Sequence, residues 1–131
     1  MKRLIFLCVE NSCRSQMAEA FGHLMAPEGY EIMSAGSNPS GQINPLAITT
    51  MQEIGYDLSS HISNNTKDLK GKVDVLVSMG CGDSCPHLDC KERIEWNIPD
   101  PKNLSLKEFR KVRDKIKEEV KILISKLEEP S

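Results

Sequence analysis

The apolar residues of this chain fall into short runs that alternate with longer amphipathic segments. Residues 4–9 (Leu-Ile-Phe-Leu-Cys-Val) and residues 73–79 form two such runs, each with polar residues or glycine at its ends. Runs of this length are typical of strands buried on both faces of a parallel sheet. Residues 30–35 indicate a third strand, and we expect residues 4–9 to form the first and central one.

Two segments between these strands have helical patterns. In the first, Met17, Phe21 and Leu24 recur at helical spacing before Pro27 and Gly29 end the segment. The second carries helix-end signals and two inward-facing apolar residues. Its residues are the cap Asn44, Pro45 at the first position, Ile48 and Met51 facing the core, and Gly55 at the end. We therefore expect two helices here.

A long amphipathic helix is predicted at the C-terminus. Ser105 and Glu108 have the spacing of a capping box. One apolar stripe follows at helical spacing: Leu106, Phe109, Val112, Ile116, Val120, Ile124 and Leu127. Strands that alternate with helices favour a doubly wound α/β sandwich formed as one domain over residues 1–131. Ligands of such sheets bind beyond the carboxyl ends of the strands, where the loops after Val9 and Met79 would lie.

Composition and charge narrow the choice of partners and compartment. Seventeen basic and 19 acidic residues leave a net charge of only -2, which favours neither nucleic acid nor a membrane surface as a bulk partner. The six-residue apolar stretch near the N-terminus is too short for a signal peptide, and no segment approaches membrane-spanning length. Five cysteines without an export signal indicate a reducing compartment, so we expect a cytoplasmic protein with reactive, metal-binding or buried thiols. We also expect a monomer.

Residues 8–15 place an arginine six residues after a cysteine, between a buried strand and a helix N-terminus. This segment is Cys8, Val9, Glu10, Asn11, Ser12, Cys13, Arg14 and Ser15. Backbone N–H groups of such a turn bind an anion, and Arg14 can hold two of its oxygens in a planar fork. The helix dipole and the arginine favour a thiolate at Cys8, to which Ser15 can donate a hydrogen bond. The alternative is a buried cysteine beside a solvated arginine, but only Cys8 combines this spacing with a strand-to-helix junction.

The pattern at residues 8–15 (Cys-x-x-Asn-x-Cys-Arg-Ser), with Asp100 and Pro101 near the C-terminus, resembles the low-molecular-weight tyrosine phosphatase fold. It is most similar to the thioredoxin-coupled arsenate reductase branch of that fold. Residues 11–19, 34–36 and 44–45 also resemble the reductases in type and order. The resemblance implies a three-layer sandwich around a four-stranded parallel sheet. It also implies arsenate, or a phosphate-like oxyanion, as the substrate.

The resemblance further implies roles for single residues. Cys8 would be the nucleophile, Arg14 the oxyanion ligand and Asp100 the general acid, whereas Cys13 sits in the loop without being the nucleophile. Glu10 stands where the family usually has glycine. Its side chain is expected to point away from the anion, and its charge to weaken binding of a dianion unless it is solvated.

A second cluster of cysteines distinguishes an arsenate reductase from a phosphatase. Reducing arsenate takes two electrons from thiols, and Cys81, Cys85 and Cys90 closely follow the strand predicted at residues 73–79. The resemblance implies that Cys81 attacks the sulfur of Cys8 in the arseno adduct. Cys85, which precedes Pro86, would then resolve the disulfide, with Cys90 as the alternative resolving cysteine. Thioredoxin or a similar thiol would restore the pair, and no tightly bound cofactor is expected.

Two other functions stay open from the sequence. Cys81, Cys85, His87 and Cys90 offer four zinc ligands, although not at a standard spacing. Tyrosine phosphatase activity is the second alternative, but Lys102 follows Pro101 where a phosphatase would place an aromatic wall. A potassium ion is not predicted: Asn11, Glu19 and Ser34 match part of the ion site of some reductases, but Asn64 replaces the expected aspartate.

Overall fold

A computed structural model of the protein describes residues 2–69, 71–79 and 89–129. Four parallel strands form one sheet in the order β2-β1-β3-β4. The strands are β1 (Lys2–Cys8), β2 (Tyr30–Gly36), β3 (Val73–Met79) and β4 (Cys90–Trp96). The helices are α1 (Arg14–Met25), α2 (Pro45–Gln52) and α3 (Leu106–Leu127), with short 3-10 turns at Leu58–Ser60 and Thr66–Asp68. The predicted parallel α/β fold with a central β1 is confirmed.

The main core lies between one face of the sheet and the three α-helices. It joins Phe6 of β1 and Val77 of β3 to Phe21 of α1, Met51 of α2 and Ile116 of α3. The other face carries a smaller apolar cluster around Ile5, Leu7 and Leu76, against which Leu69 packs. Apolar residues on both faces of β1 explain its continuous hydrophobic run. None of the helices in the described ranges is long and apolar enough to cross a membrane.

Some details of the helices differ from the expectation. Leu24, expected on the buried stripe of α1, is 56% exposed, because the buried residues of that helix end at Gly22. Ile48 of α2 is only half-buried, whereas Met51 is buried as predicted. At the start of α3 the Ser105 Oγ accepts the Glu108 N–H at 3.3 Å, which is one half of the capping box. The ends of all three helices otherwise lie close to the predicted positions.

The fourth strand was not predicted from the hydrophobic pattern. β4 lies at the edge of the sheet, and four of its central residues are charged: Lys91, Glu92, Arg93 and Glu95. Charged side chains are common on edge strands because they discourage pairing with another chain. Cys90 is the first residue of β4 and pairs with Val73, at the amino end of β3.

Candidate active site

The loop of residues 8–15 connects the carboxyl end of β1 to the amino end of α1, at the centre of the sheet. Its backbone carbonyls are held from outside the loop. Asn38 N–H donates to Val9 O at 2.8 Å, Ser40 N–H to Glu10 O at 3.0 Å, and Asn44 N–H to Ser12 O at 3.0 Å. In the described part of the chain, no protein acceptor receives the backbone N–H groups of residues 10–13. With the carbonyls held on the outside, these free N–H groups and the start of α1 form an anion-binding concavity.

Gly36 allows β2 to lie against this loop. A Cβ atom at position 36 would stand 2.4 Å from Val9 O and 2.9 Å from Asn11 N. Both contacts are with backbone atoms, which cannot rotate away. Glycine is therefore required at position 36 for a steric reason, because any side chain there would displace the oxyanion loop.

Asn11 fixes the shape of the loop and the position of the nucleophile. Among the residues that the structure describes, Asn11 is the one non-glycine residue with a positive φ, 49°. Asparagine tolerates this backbone conformation better than most residues. Its Nδ2 donates to Ser15 Oγ at 2.8 Å, and Ser15 Oγ lies 2.9 Å from Cys8 Sγ. The Ser15 oxygen accepts a hydrogen bond from Asn11, so the serine O–H can donate a hydrogen bond to the Cys8 sulfur. A hydrogen bond in this direction stabilises the thiolate.

Arg14 and Asp100 meet at the mouth of the loop. Arg14 is 8% exposed, and one of its Nη atoms donates to Ile98 O at 3.0 Å. The other lies 3.8 Å from Asp100 Oδ2. Asp100 is held in turn by the Lys102 N–H, which donates to its Oδ1 at 3.0 Å. The structure therefore places Cys8, Arg14 and Asp100 around one cavity, and their catalytic roles stay a prediction.

These residues line a cavity of about 240 Å³ that opens to solvent. Its walls are Cys8, Val9, Glu10, Ser12, Cys13, Arg14, Asp100 and Lys102. None of these described wall residues is aromatic, so the rim lacks the flat apolar surface that a phenyl ring would require. A small tetrahedral oxyanion fits the donors of this cavity better than an aryl ester.

Cys13 is a second buried thiol in the loop that carries Cys8. Burial raises the pKa of the Cys13 thiol to about 11. Because the pKa is above neutral, the sulfur stays protonated and weakly nucleophilic. That Cys13 is not the nucleophile stays a prediction.

Glu10, the departure from the family pattern, is paired rather than solvated. Its Oε1 lies 2.6 Å from Lys102 Nζ, and both side chains are partly exposed at the cavity rim. The hydrogen bond and charge of Glu10 raise the pKa of Lys102, so the lysine stays charged at neutral pH. The pair joins the oxyanion loop to the loop that carries Asp100. The sequence gave no sign of this contact, because its partners lie 92 residues apart.

Variants of this pair test whether Lys102 neutralises the charge of Glu10 at the cavity. Lys102→Ala is expected to weaken oxyanion binding about fivefold, because an unpaired carboxylate remains beside the anion. The double variant Glu10→Gln/Lys102→Ala should recover most of that loss. Steady-state kinetics at low and high salt check both effects. An equal loss in the double variant would show that the lysine acts on the anion directly and not by neutralising Glu10.

The cysteines of the second cluster are separated from this site or lie outside the described residues. Cys81, Cys85 and His87 fall among residues 80–88, so neither the relay pair nor the zinc set is described. Cys90 is half-buried and begins β4 beside Val73, whereas Cys8 lies level with Met79. Six residues of strand separate these two levels, a distance of about 20 Å.

Comparison with known proteins identifies the family. The model of the family described as low molecular weight phosphotyrosine protein phosphatase matches residues 3–131. The chain is 37% identical over 131 residues to the glutaredoxin arsenate reductase of Synechocystis sp., covering 97% of this chain and 99% of that protein.

The similar solved structures include arsenate reductases as well. One described as an arsenate reductase in the phosphate binding state superposes with a TM-score of 0.87 at 37% identity, over 96% of this chain and 98% of that chain. The thioredoxin-dependent arsenate reductase of Corynebacterium glutamicum superposes with a TM-score of 0.77 at 27% identity, over 96% of this chain and 61% of that chain. This chain belongs to the low molecular weight phosphotyrosine protein phosphatase family, and these relatives within it are arsenate reductases.

Proposed function

We propose that this protein reduces arsenate to arsenite in the cytoplasm as a monomer. The observation that carries the proposal is the convergence of Cys8, Ser15, Arg14 and Asp100 on one oxyanion-sized cavity. The related proteins named arsenate reductases support arsenate as the oxyanion. The absence of aromatic residues from the described cavity wall speaks against phosphotyrosine as the main substrate.

In the first step, the Cys8 thiolate attacks the arsenic atom in line with a departing oxygen. Arg14 turns its planar fork to two arsenate oxygens, exchanging its contact with Asp100 for the substrate. Free N–H groups of the loop bind the remaining negative charge. Asp100, in its protonated form, gives its proton to the departing oxygen, which leaves as water. The product is a covalent adduct of Cys8 sulfur and pentavalent arsenic.

In the second step, Cys81 loses its proton to solvent and its thiolate attacks the sulfur of Cys8. The electron pair of the breaking sulfur–arsenic bond passes to arsenic, which leaves as trivalent arsenite, and a Cys8–Cys81 disulfide forms. Cys85 then attacks Cys81, releasing the Cys8 thiolate and leaving a Cys81–Cys85 disulfide. A thiol protein, for which we propose thioredoxin, reduces that disulfide.

The position of Cys90 supports Cys85 as the resolving cysteine. Cys90 lies about 20 Å from the level of Cys8 along the sheet, and its backbone is fixed by pairing with β3. Disulfide exchange requires the sulfurs to approach to bonding distance, with Cα atoms within about 7 Å. Cys90 would therefore have to leave β4 to join either Cys8 or a disulfide formed with it.

The cysteine variants are expected to stop at different steps. Cys81→Ser should stall after attack on arsenate and form no disulfide. Cys85→Ser should trap a Cys8–Cys81 disulfide after one turnover, while Cys90→Ser, the matched control, should keep multiple turnover. Peptide mass spectrometry after one turnover without external reductant identifies the joined sulfurs. A disulfide ending at Cys90 in the unmodified protein would transfer the resolving role to that residue.

A coupled assay tests the function itself. The protein with thioredoxin, thioredoxin reductase and NADPH should consume NADPH only when arsenate is added, and should hydrolyse p-nitrophenyl phosphate far more slowly. Replacing the thioredoxin system by glutaredoxin with glutathione tests the alternative reductant. Rapid aryl phosphate hydrolysis with no arsenate-dependent NADPH consumption would overturn the proposal in favour of a phosphatase.

A further inference from the structure

A second group of ligand-type side chains lies outside the oxyanion cavity. Glu19 and His23 stand four residues apart on α1, so they share one face of the helix. His61, which follows the 3-10 turn at Leu58–Ser60, approaches the same face. Glu19 Oε2 is 3.3 Å from His23 Nε2 and 3.0 Å from His61 Nδ1. One ligand atom from each residue lies within 4.8 Å of the other two.

Neighbouring groups hold two of these side chains in place. Ser34 Oγ donates to Glu19 Oε1 at 2.7 Å, which leaves Oε2 turned towards the imidazoles. Tyr56 OH lies 2.6 Å from His61 Nε2, so the opposite ring nitrogen, Nδ1, faces the group. Metal-binding sites commonly have such outer hydrogen bonds, which fix the ring orientation and the free oxygen of the carboxylate.

We propose that Glu19, His23 and His61 form a binding site for a zinc-class divalent cation. Two imidazole nitrogens and one carboxylate oxygen are a donor set that suits zinc, with a fourth position left for water. Potassium, magnesium and calcium prefer oxygen donors, so this set does not suit them. The potassium ligands of related reductases correspond to oxygen-bearing side chains here, and only Glu19 belongs to both sets. The proposal is therefore distinct from that ion site and does not depend on the reaction at Cys8.

Metal binding would also change a contact of Gln16, which hydrogen-bonds the oxyanion loop. His61 Nδ1 lies 2.9 Å from Gln16 Oε1, and Gln16 Nε2 donates to Asn11 Oδ1 at 2.9 Å. A cation on Nδ1 displaces the proton that this nitrogen can donate to Gln16. Gln16 thus links the proposed metal site to Asn11 through two hydrogen bonds.

The test must exclude zinc binding by thiolates. The full chain carrying Cys8→Ser, Cys81→Ser, Cys85→Ser and Cys90→Ser is titrated with zinc chloride by calorimetry, in buffer with excess potassium chloride. One zinc ion per chain is expected to bind. Adding His23→Gln should weaken that binding about tenfold or more, because one of three protein ligands is lost. His23 is exposed, so this variant removes a ligand without disturbing the core.

His87→Gln is the matched control, since it removes the remaining histidine of the chain. It should leave zinc affinity unchanged. Cobalt substitution supplies a second readout: the visible spectrum of the bound ion should change on His23→Gln and not on His87→Gln. No binding in the background with these four cysteines replaced, or equal affinity with and without His23, would overturn the proposal. Loss of binding only in His87→Gln would do the same, because it places the ion at the second cysteine cluster.

Discussion

Replacing Cys8 by serine is expected to lower arsenate turnover by at least about a thousandfold, the scale seen when an essential nucleophile is removed. A serine hydroxyl keeps the shape of the side chain and its contact with Ser15, which lies 2.9 Å from the sulfur. It does not ionise under the same conditions, however, and it forms no disulfide. Arsenite production measured over many minutes, with the folded state checked by circular dichroism, gives the result.

Cys13→Ser is the matched control for that variant. It removes a buried sulfur from the same loop, but one whose pKa of about 11 keeps it protonated. Its activity should stay within the order of magnitude of the unmodified protein. Iodoacetamide should likewise modify Cys8 and not Cys13, and arsenate or phosphate should protect Cys8. Near-normal turnover by the Cys8 variant would mean that another group attacks arsenate.

Arg14→Lys is expected to weaken oxyanion binding by about 10- to 100-fold even though the charge is kept, because an ammonium replaces a planar fork. Lysine also loses one of the two guanidinium nitrogens that now reach Ile98 O and Asp100. The effect should appear in the KM for arsenate and in the Kd for phosphate measured by calorimetry.

Arg110→Lys is the control for this second variant. Arg110 lies on α3, exposed, with its guanidinium paired to Glu53 and away from the cavity. Its replacement should leave both constants unchanged. If Arg14→Lys binds phosphate as tightly as the unmodified protein, the backbone N–H groups alone hold the anion.

The parts of the fold that the sequence predicted are those with local signals. β1 and β3 are buried on both faces, so their apolar runs are visible in the sequence. β4 was not predicted because it lies at the edge of the sheet and most of its residues are charged and exposed, so it has no apolar run. Its existence also explains why Cys90, near in sequence to Cys85, does not share the end of the sheet with Cys8.

The candidate site was predictable to the extent that it lies in one segment. Cys8, Arg14 and Ser15 sit in a single loop whose spacing carries the chemistry, and Asp100 entered through the family resemblance. The salt bridge between Glu10 and Lys102 joins distant segments, and no local rule pairs those two side chains. The approach of His61 to Glu19 has the same origin, because the two residues lie 42 positions apart in the sequence and meet only when the chain folds back across α1. Such contacts depend on tertiary packing, which periodicity does not encode.

A single-turnover reaction measures the reductase chemistry most directly. Fully reduced protein is mixed with a limiting amount of arsenate and no external reductant, then quenched in acid for arsenite analysis and thiol counting. The expected result is one arsenite formed and two thiols lost per arsenate consumed, with Cys8 recovered in its reduced form. Arsenate recovered unchanged with every thiol intact, while the same protein releases phosphate from an aryl phosphate, would contradict the account.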